Sequence, residues 1–231
     1  VDACCGASRL FTYQIEEHLP AASKWIHLFT GERDVTDVAL LAPTTIHFLN
    51  GDVRPAIDAG MQLRDLFAYD VLDELLVRDG AIGDYRVLIA VGCDVIDDET
   101  LARIRDWVEA GGILLWADAG KVETVAGVRD LWLDDATPEG TAMGRGHVFT
   151  CTAQWEGLSV AAARVVFEET SELYPNAAER LDGVEDGVWL ADRGDAILGF
   201  NTGSDVIERE ITWRGKKHTM VLHPGELVEV R

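Results

Sequence analysis

The chain has 231 residues, 48% of them hydrophobic, and carries 41 acidic against 20 basic side chains for a formal net charge of −21. That length suits one large domain or two small ones, with room for a sizeable core. The charge repels nucleic acid and anionic membranes, so both are set aside as partners, and no apolar run approaches the roughly 18 residues of a membrane span.

Only four lysines occur, Lys24, Lys121, Lys216 and Lys217, so arginine carries most of the positive charge. An acid-rich, lysine-poor composition fits adaptation to high salt and fits a GC-rich genome equally well. The start, Val1-Asp2-Ala3-Cys4-Cys5, has neither the basic region nor the apolar core of a signal peptide, and a cytoplasmic location is expected. Cys4, Cys5, Cys93 and Cys151 form no CxxC pair and match no zinc spacing. They are expected to be reduced structural thiols, and no metal or cofactor is expected.

In chain order, residues 1–34 read as a helical lead-in interrupted at Pro20, too short to fold alone. Val38-Ala39-Leu40-Leu41-Ala42 is a continuous apolar run, the pattern of a strand buried on both faces. Asp52 to Asp79 is expected to be one helix, with Leu63, Leu66, Phe67, Val71 and Leu75 on one side and Gly80 ending it. Tyr85 to Val91 is the second buried strand, closed by Gly92. Asp97 and Asp98 offer N-caps for a helix bearing Leu101, Ile104, Trp107 and Val108, stopped at Gly111-Gly112. Ile113 to Ala117 is the third strand. This alternation is the signature of right-handed βαβ crossovers.

Gly144-Arg145-Gly146 reads as a turn, His147–Cys151 as a strand, and Leu158–Leu173 as a helix stopped by Pro175. The period then changes. Val188–Ala191, Ala196–Phe200, Ile207–Trp213, Thr219–Leu222 and Leu227–Val230 are short strands. Asn201-Thr202-Gly203-Ser204 and Arg214-Gly215-Lys216 read as hairpin turns between them. The fold class is thus α/β: an open parallel sheet of flavodoxin-like type with helices on both faces, followed by a small antiparallel β-module. The divisions are 1–34, 35–176 and 177–231.

Open α/β sheets bind ligands beyond the carboxyl ends of their strands. That rule selects Thr44, Thr45 and His47 after the first strand, Cys93 and Asp94 after the second, and Asp118 and Lys121 after the third. Cys93 as a nucleophile requires a base or cation to lower its pKa, and His47 is the nearest candidate. Its ordinary reading is a buried thiol. Asp118 is a candidate base, and its ordinary reading is a helix N-cap. Adjacent carboxylates such as Asp97-Asp98 and Asp134-Asp135 do not face one another on a helix and read as solvated surface. Trp107 and Trp116 fit core positions. Trp189 and Trp213 are candidates for a carbohydrate-binding platform, with packing as the ordinary reading.

The strand Asp37-Val38-Ala39-Leu40-Leu41, the segment Tyr85 to Ala90, and the run Trp107-Val108-Glu109-Ala110-Gly111-Gly112-Ile113-Leu114-Leu115 together resemble the class I glutamine amidotransferase-like fold. In active members the elbow after the third strand carries a cysteine. Here the stretch is Trp116-Ala117-Asp118-Ala119-Gly120, Asp118 stands at that place, and no His-x-Glu pair follows. With Gly144-Arg145-Gly146-His147-Val148, Asp195 to Asn201 and His223-Pro224-Gly225-Glu226, the arrangement resembles the part of family 42-type β-galactosidases that follows their catalytic TIM barrel. That resemblance implies a cysteine-less trimerisation domain and a terminal β-domain. It implies an assembly role, with a homo-oligomer (a trimer) or a glycosidase barrel as partner and no catalytic residue in this chain. The alternative readings are a small-molecule hydrolase or transferase using Cys93 or Asp118, and a carbohydrate-binding module.

Overall fold

The structure is a computed structural model. It describes residues 36–169 apart from 65, 68 and 129–131, and residues 188–231 apart from 193–195, 202 and 214. The expected lead-in over 1–34, the end of the helix toward Pro175 and the boundary at 176 lie outside the described residues.

The first part is a six-stranded sheet of order β2-β1-β3-β5-β8-β7. Its strands are β1 (Val38–Ala42), β2 (Asp70–Asp73), β3 (Val87–Ala90), β5 (Ile113–Ala117), β7 (Thr141–Met143) and β8 (Gly146–Cys151). All neighbours pair parallel except β7 with β8. A separate two-residue ribbon joins β4 (Val95–Ile96) to β6 (Glu123–Thr124).

Three continuous apolar runs form the sheet centre because both their faces are covered. Val38, Leu40, Val87, Ile89, Ile113 and Leu115 enter one buried cluster. Their alternates Ala39, Leu41, Leu88, Ala90, Leu114 and Trp116 enter the other. This is the period of two of an extended chain. Burying one such Leu or Ile contributes about 1.5–3 kcal/mol.

Helices cover the two faces. On the first cluster lie α2 (Arg54–Leu63), through Ala59 and Leu63, and α5 (Trp155–Glu169), through Leu158, Ala162, Val165 and Val166. On the second lie α3 (Glu74–Arg78), through Val77, and α4 (Asp98–Glu109), through Leu101, Ile104 and Val108. The short α1 (Thr44–Phe48) follows β1. Asp97 caps α4, its Oδ1 accepting from the amides of Glu99 and Thr100. Gly111, at φ 121°, ends that helix, and Gly112 lies under the Trp107 ring, where a Cβ would come within 2.3 Å of it.

One expected element is corrected. Asp52 to Asp79 is not a single helix: α2 ends at Leu63, β2 intervenes, and α3 is a separate five-residue helix. Phe67 and Leu72 are buried, but Val71 and Leu75 are 55% and 50% exposed, so the supposed apolar stripe is split among α2, β2, α3 and the residues between α2 and β2. β2 is an edge strand with one covered face. Its sequence Asp-Val-Leu-Asp therefore shows no apolar run, and its pairing with β1 decided its conformation.

The second part joins a three-stranded antiparallel sheet, order β13-β10-β9, with the hairpin β11-β12. The strands are β9 (Val188–Asp192), β10 (Ile197–Asn201), β11 (Ile207–Trp213), β12 (Lys216–Leu222) and β13 (Leu227–Val230). Their core holds Val188, Leu190, Ile197, Ile211, Trp213, Met220 and Leu222. The β11-β12 hairpin is as expected, with Trp213 paired to Lys216 across the turn. The other expected hairpin is corrected. β10 does not pair with β11, so the residues after Asn201 carry the chain from one sheet to the other. Asn201 has no exposed surface, and its Nδ2 donates to the carbonyls of Asp205 and Leu222 while its Oδ1 accepts from the Gly203 amide. The side chain thus ties β10 to the segment before β11 and to the end of β12.

Candidate functional site

The sheet brings the ends of β1, β3 and β5 to one edge, and with them most of the candidate residues. The turn after β5 has the form of a strand-to-helix elbow. Asp118 lies in the left-handed region, φ 55° and ψ 39°, where non-glycine residues are uncommon. Four hydrogen bonds hold the turn there. The Asp118 amide donates to the Cys151 carbonyl at 2.8 Å, and the Lys121 amide donates to the Asp118 carbonyl at 2.9 Å. Thr150 Oγ1, donating to the Trp116 carbonyl, also accepts from the Ala119 amide at 3.4 Å.

The expected capping role of Asp118 is corrected. It precedes the 3-10 turn Ala119–Lys121, but its side chain caps no amide. Instead Oδ2 accepts from Lys121 Nζ at 3.0 Å. The Lys121 pKa is raised by its hydrogen bond to Asp118, then by the charges of Asp118 and Asp94. In hydrolases built on such an elbow, the amide after the nucleophile helps to bind the oxyanion. The equivalent amide here, that of Ala119, is directed at Thr150.

Cys93 is buried, and its Sγ donates to the Val91 carbonyl at 3.5 Å. Burial pushes its thiol far up, and the carboxylates of Glu74 and Asp94 push in the same direction. A nucleophilic thiol needs the opposite environment. His47, its supposed base, is exposed on α1 beside Phe48. Asp94 is exposed, and its carbonyl accepts from the Glu123 amide. Among the described residues, no three His, Cys, Asp or Glu side chains converge closely enough to hold a metal ion.

Thr44 and Thr45 are committed to Glu74, which is not among the candidate residues. Glu74, the first residue of α3, is 4% exposed. Its Oε1 accepts from the Thr45 amide at 2.7 Å and its Oε2 from Thr45 Oγ1 at 2.6 Å. Oε2 also accepts from the Asp97 amide at 3.4 Å, while the Glu74 amide meets Thr44 Oγ1 at 3.5 Å. No local pattern marks Glu74, because its partners stand 23 to 30 residues away. The only signal was an acidic side chain on the supposed apolar side of a helix that does not exist.

The tryptophans divide as follows. Trp116 is fully buried, and Trp107 is packed on the second cluster with Nε1 donating to the Tyr85 carbonyl. Trp213, a candidate sugar platform, is 7% exposed within the core of the second part, so its ring face is covered. The side chain of Trp189 lies outside the described residues.

No protein-family model and no curated protein sequence matches the chain. Solved structures do. Gan42B, a GH42 β-galactosidase from G. stearothermophilus, aligns with a TM-score of 0.58 at 15% identity, over 96% of this chain and 44% of that one. The β-galactosidase from Rahnella sp. R3 aligns at 0.58 and 13%, over 92% and 43%. That from Bacillus circulans sp. alkalophilus aligns at 0.56 and 11%, over 90% and 43%. The chain therefore has the fold of a part of these proteins and spans less than half of their length.

Proposed function

We propose that this chain is the non-catalytic assembly part of a β-galactosidase-like glycoside hydrolase whose TIM barrel lies outside it. In this reading residues 35–176 form an amidotransferase-like domain that joins copies of the protein, a trimer being the expected form. Residues 1–34 lead in from the barrel, and 177–231 form the terminal β-module.

One observation carries the reading. Of the twelve large hydrophobic side chains left exposed among the described residues, seven lie between Phe48 and Leu76, on α1, α2, β2 and α3 and the residues between them. Phe48 is 74% exposed and Met61 68%. Such a concentration around an edge strand is the mark of a surface that meets another chain. The internal pairing of Asp118 with Lys121, and of Thr45 with Glu74, supports the same reading, since the groups best placed to bind or attack a substrate are already bonded within the chain.

The test is the mass in solution by light scattering, at physiological ionic strength so that the net charge is screened. The wild-type chain is expected to associate, and the Ile57→Lys/Met61→Lys pair to be monomeric with an unchanged melting temperature. A wild type that stays strictly monomeric at high concentration defeats the proposal.

A further inference from the structure

We infer that Glu74 is a built-in ligand: its carboxylate fills a carboxylate-binding cradle at the strand ends formed by the Thr45 amide, the Thr45 hydroxyl and the Asp97 amide. The donors come from two separate elements, α1 and the residue leading into α4, and they converge on one carboxylate at 2.7, 2.6 and 3.4 Å. Among the described residues no cation lies within ion-pair distance of it. Arg78, one turn along α3, reaches Asp97 and Glu99 instead, at 3.7 Å each. Neutral N–H and O–H donors converging on a carboxylate almost out of water are one arrangement by which proteins bind small carboxylic acids. It lies where open α/β sheets place their ligands. Here the chain supplies the acid itself, from the residue directly after the edge strand β2.

The consequence is a closed site that can be reopened. Glu74→Ala removes one methylene and the carboxylate, which together match acetate. It leaves the partly buried Thr45 and Asp97 amides without their acceptor. The inference is independent of the assembly reading, because its readout is local and needs no partner.

The experiment is a set of thermal melts of the full chain in sodium acetate and in sodium chloride at equal ionic strength. Glu74→Ala is expected to melt roughly 5 °C or more below wild type in chloride. About 100 mM acetate is expected to return roughly 3 °C of that loss, and to leave wild type unchanged. Glu74→Gln keeps the volume but turns an NH2 toward the donors, and is expected to melt below wild type without responding to acetate. If Glu74→Ala does not fold in chloride, the readout becomes refolding yield, which acetate is expected to raise. The inference is overturned if acetate acts on Glu74→Ala no more than chloride does, or acts equally on wild type. It is also overturned if either variant melts with wild type.

Discussion

Lys121 Nζ lies 3.0 Å from Asp118 Oδ2, so the one side chain that the elbow after β5 presents is tied down by the residue three positions further along the same turn. The pair is solvent-facing and open to screening by salt. Its interest is in the backbone beneath it, which holds Asp118 at φ 55°.

That conformation sets the response to substitution. Asp and Asn tolerate the left-handed region better than other side chains, and glycine adopts it freely. Asp118→Ala is expected to lower stability by about 1 kcal/mol, and Asp118→Val by more. Asp118→Gly is expected to stay within about 0.5 kcal/mol of wild type, because relief at the elbow offsets the added freedom of the unfolded chain. Urea denaturation checks the order. Equal stability of the Ala and Gly variants would contradict the elbow geometry.

Gly146 opens β8 against the turn that ends α4. A Cβ there would lie 2.1 Å from the Gly112 carbonyl oxygen and 2.3 Å from that of Val108, both backbone atoms that cannot swing aside. Gly146→Ala is expected to cost about 3 kcal/mol or to abolish folding. At Gly83, which meets nothing within 4 Å, the same change is expected to be mild. Soluble yield and circular-dichroism melts of the two variants give the comparison.

Trp213 is a core residue of the second part. Trp213→Ala is expected to destabilise by about 3–5 kcal/mol, in the range of a large aromatic removed from a core. A variant that keeps wild-type stability while losing affinity for a glycan would restore the sugar-platform reading.

The thiols predict an alkaline limit. Burial, and then the charge of Asp118, pushes the Cys151 thiol from an ordinary value near 9 up to about 11. Burial raises Cys93 as well. Both thiols stay protonated in the folded chain at a pH where the unfolded chain ionises. Their contribution is complete below about pH 9 and is lost as pH rises through the folded value, with a slope of at most about 1.4 kcal/mol per pH unit for each thiol. Denaturant midpoints measured from pH 8 to 11 are expected to fall, and to fall less steeply in Cys151→Ala. In the native protein at neutral pH, Cys93 is expected to resist iodoacetamide until the chain unfolds.

Much of the fold was legible because its central strands are buried on both sides. Val38–Ala42, Val87–Ala90 and Ile113–Ala117 are continuous apolar runs, and Asp97, Gly80 and Gly111 punctuate the helices between them by local chemistry. β2 was not legible: its outer face meets solvent and its four residues begin and end with aspartate. The transfer from β10 to β11 was equally hidden. A polar turn signal reads the same whether the next strand pairs with its neighbour or crosses to another sheet.

The candidate site divides along the same line. From the residues alone came the parallel sheet, the edge where its strand ends meet, and the presence of Asp118 at the elbow, since each follows from patterns within a few residues. Only the tertiary structure decided what those groups do. It placed Asp118 against Lys121, sealed Cys93 away from solvent, and gave Thr45 to a glutamate 29 residues later in the chain. Hydrogen bonds and burial depend on which distant segments meet, and no local period in the sequence encodes that meeting.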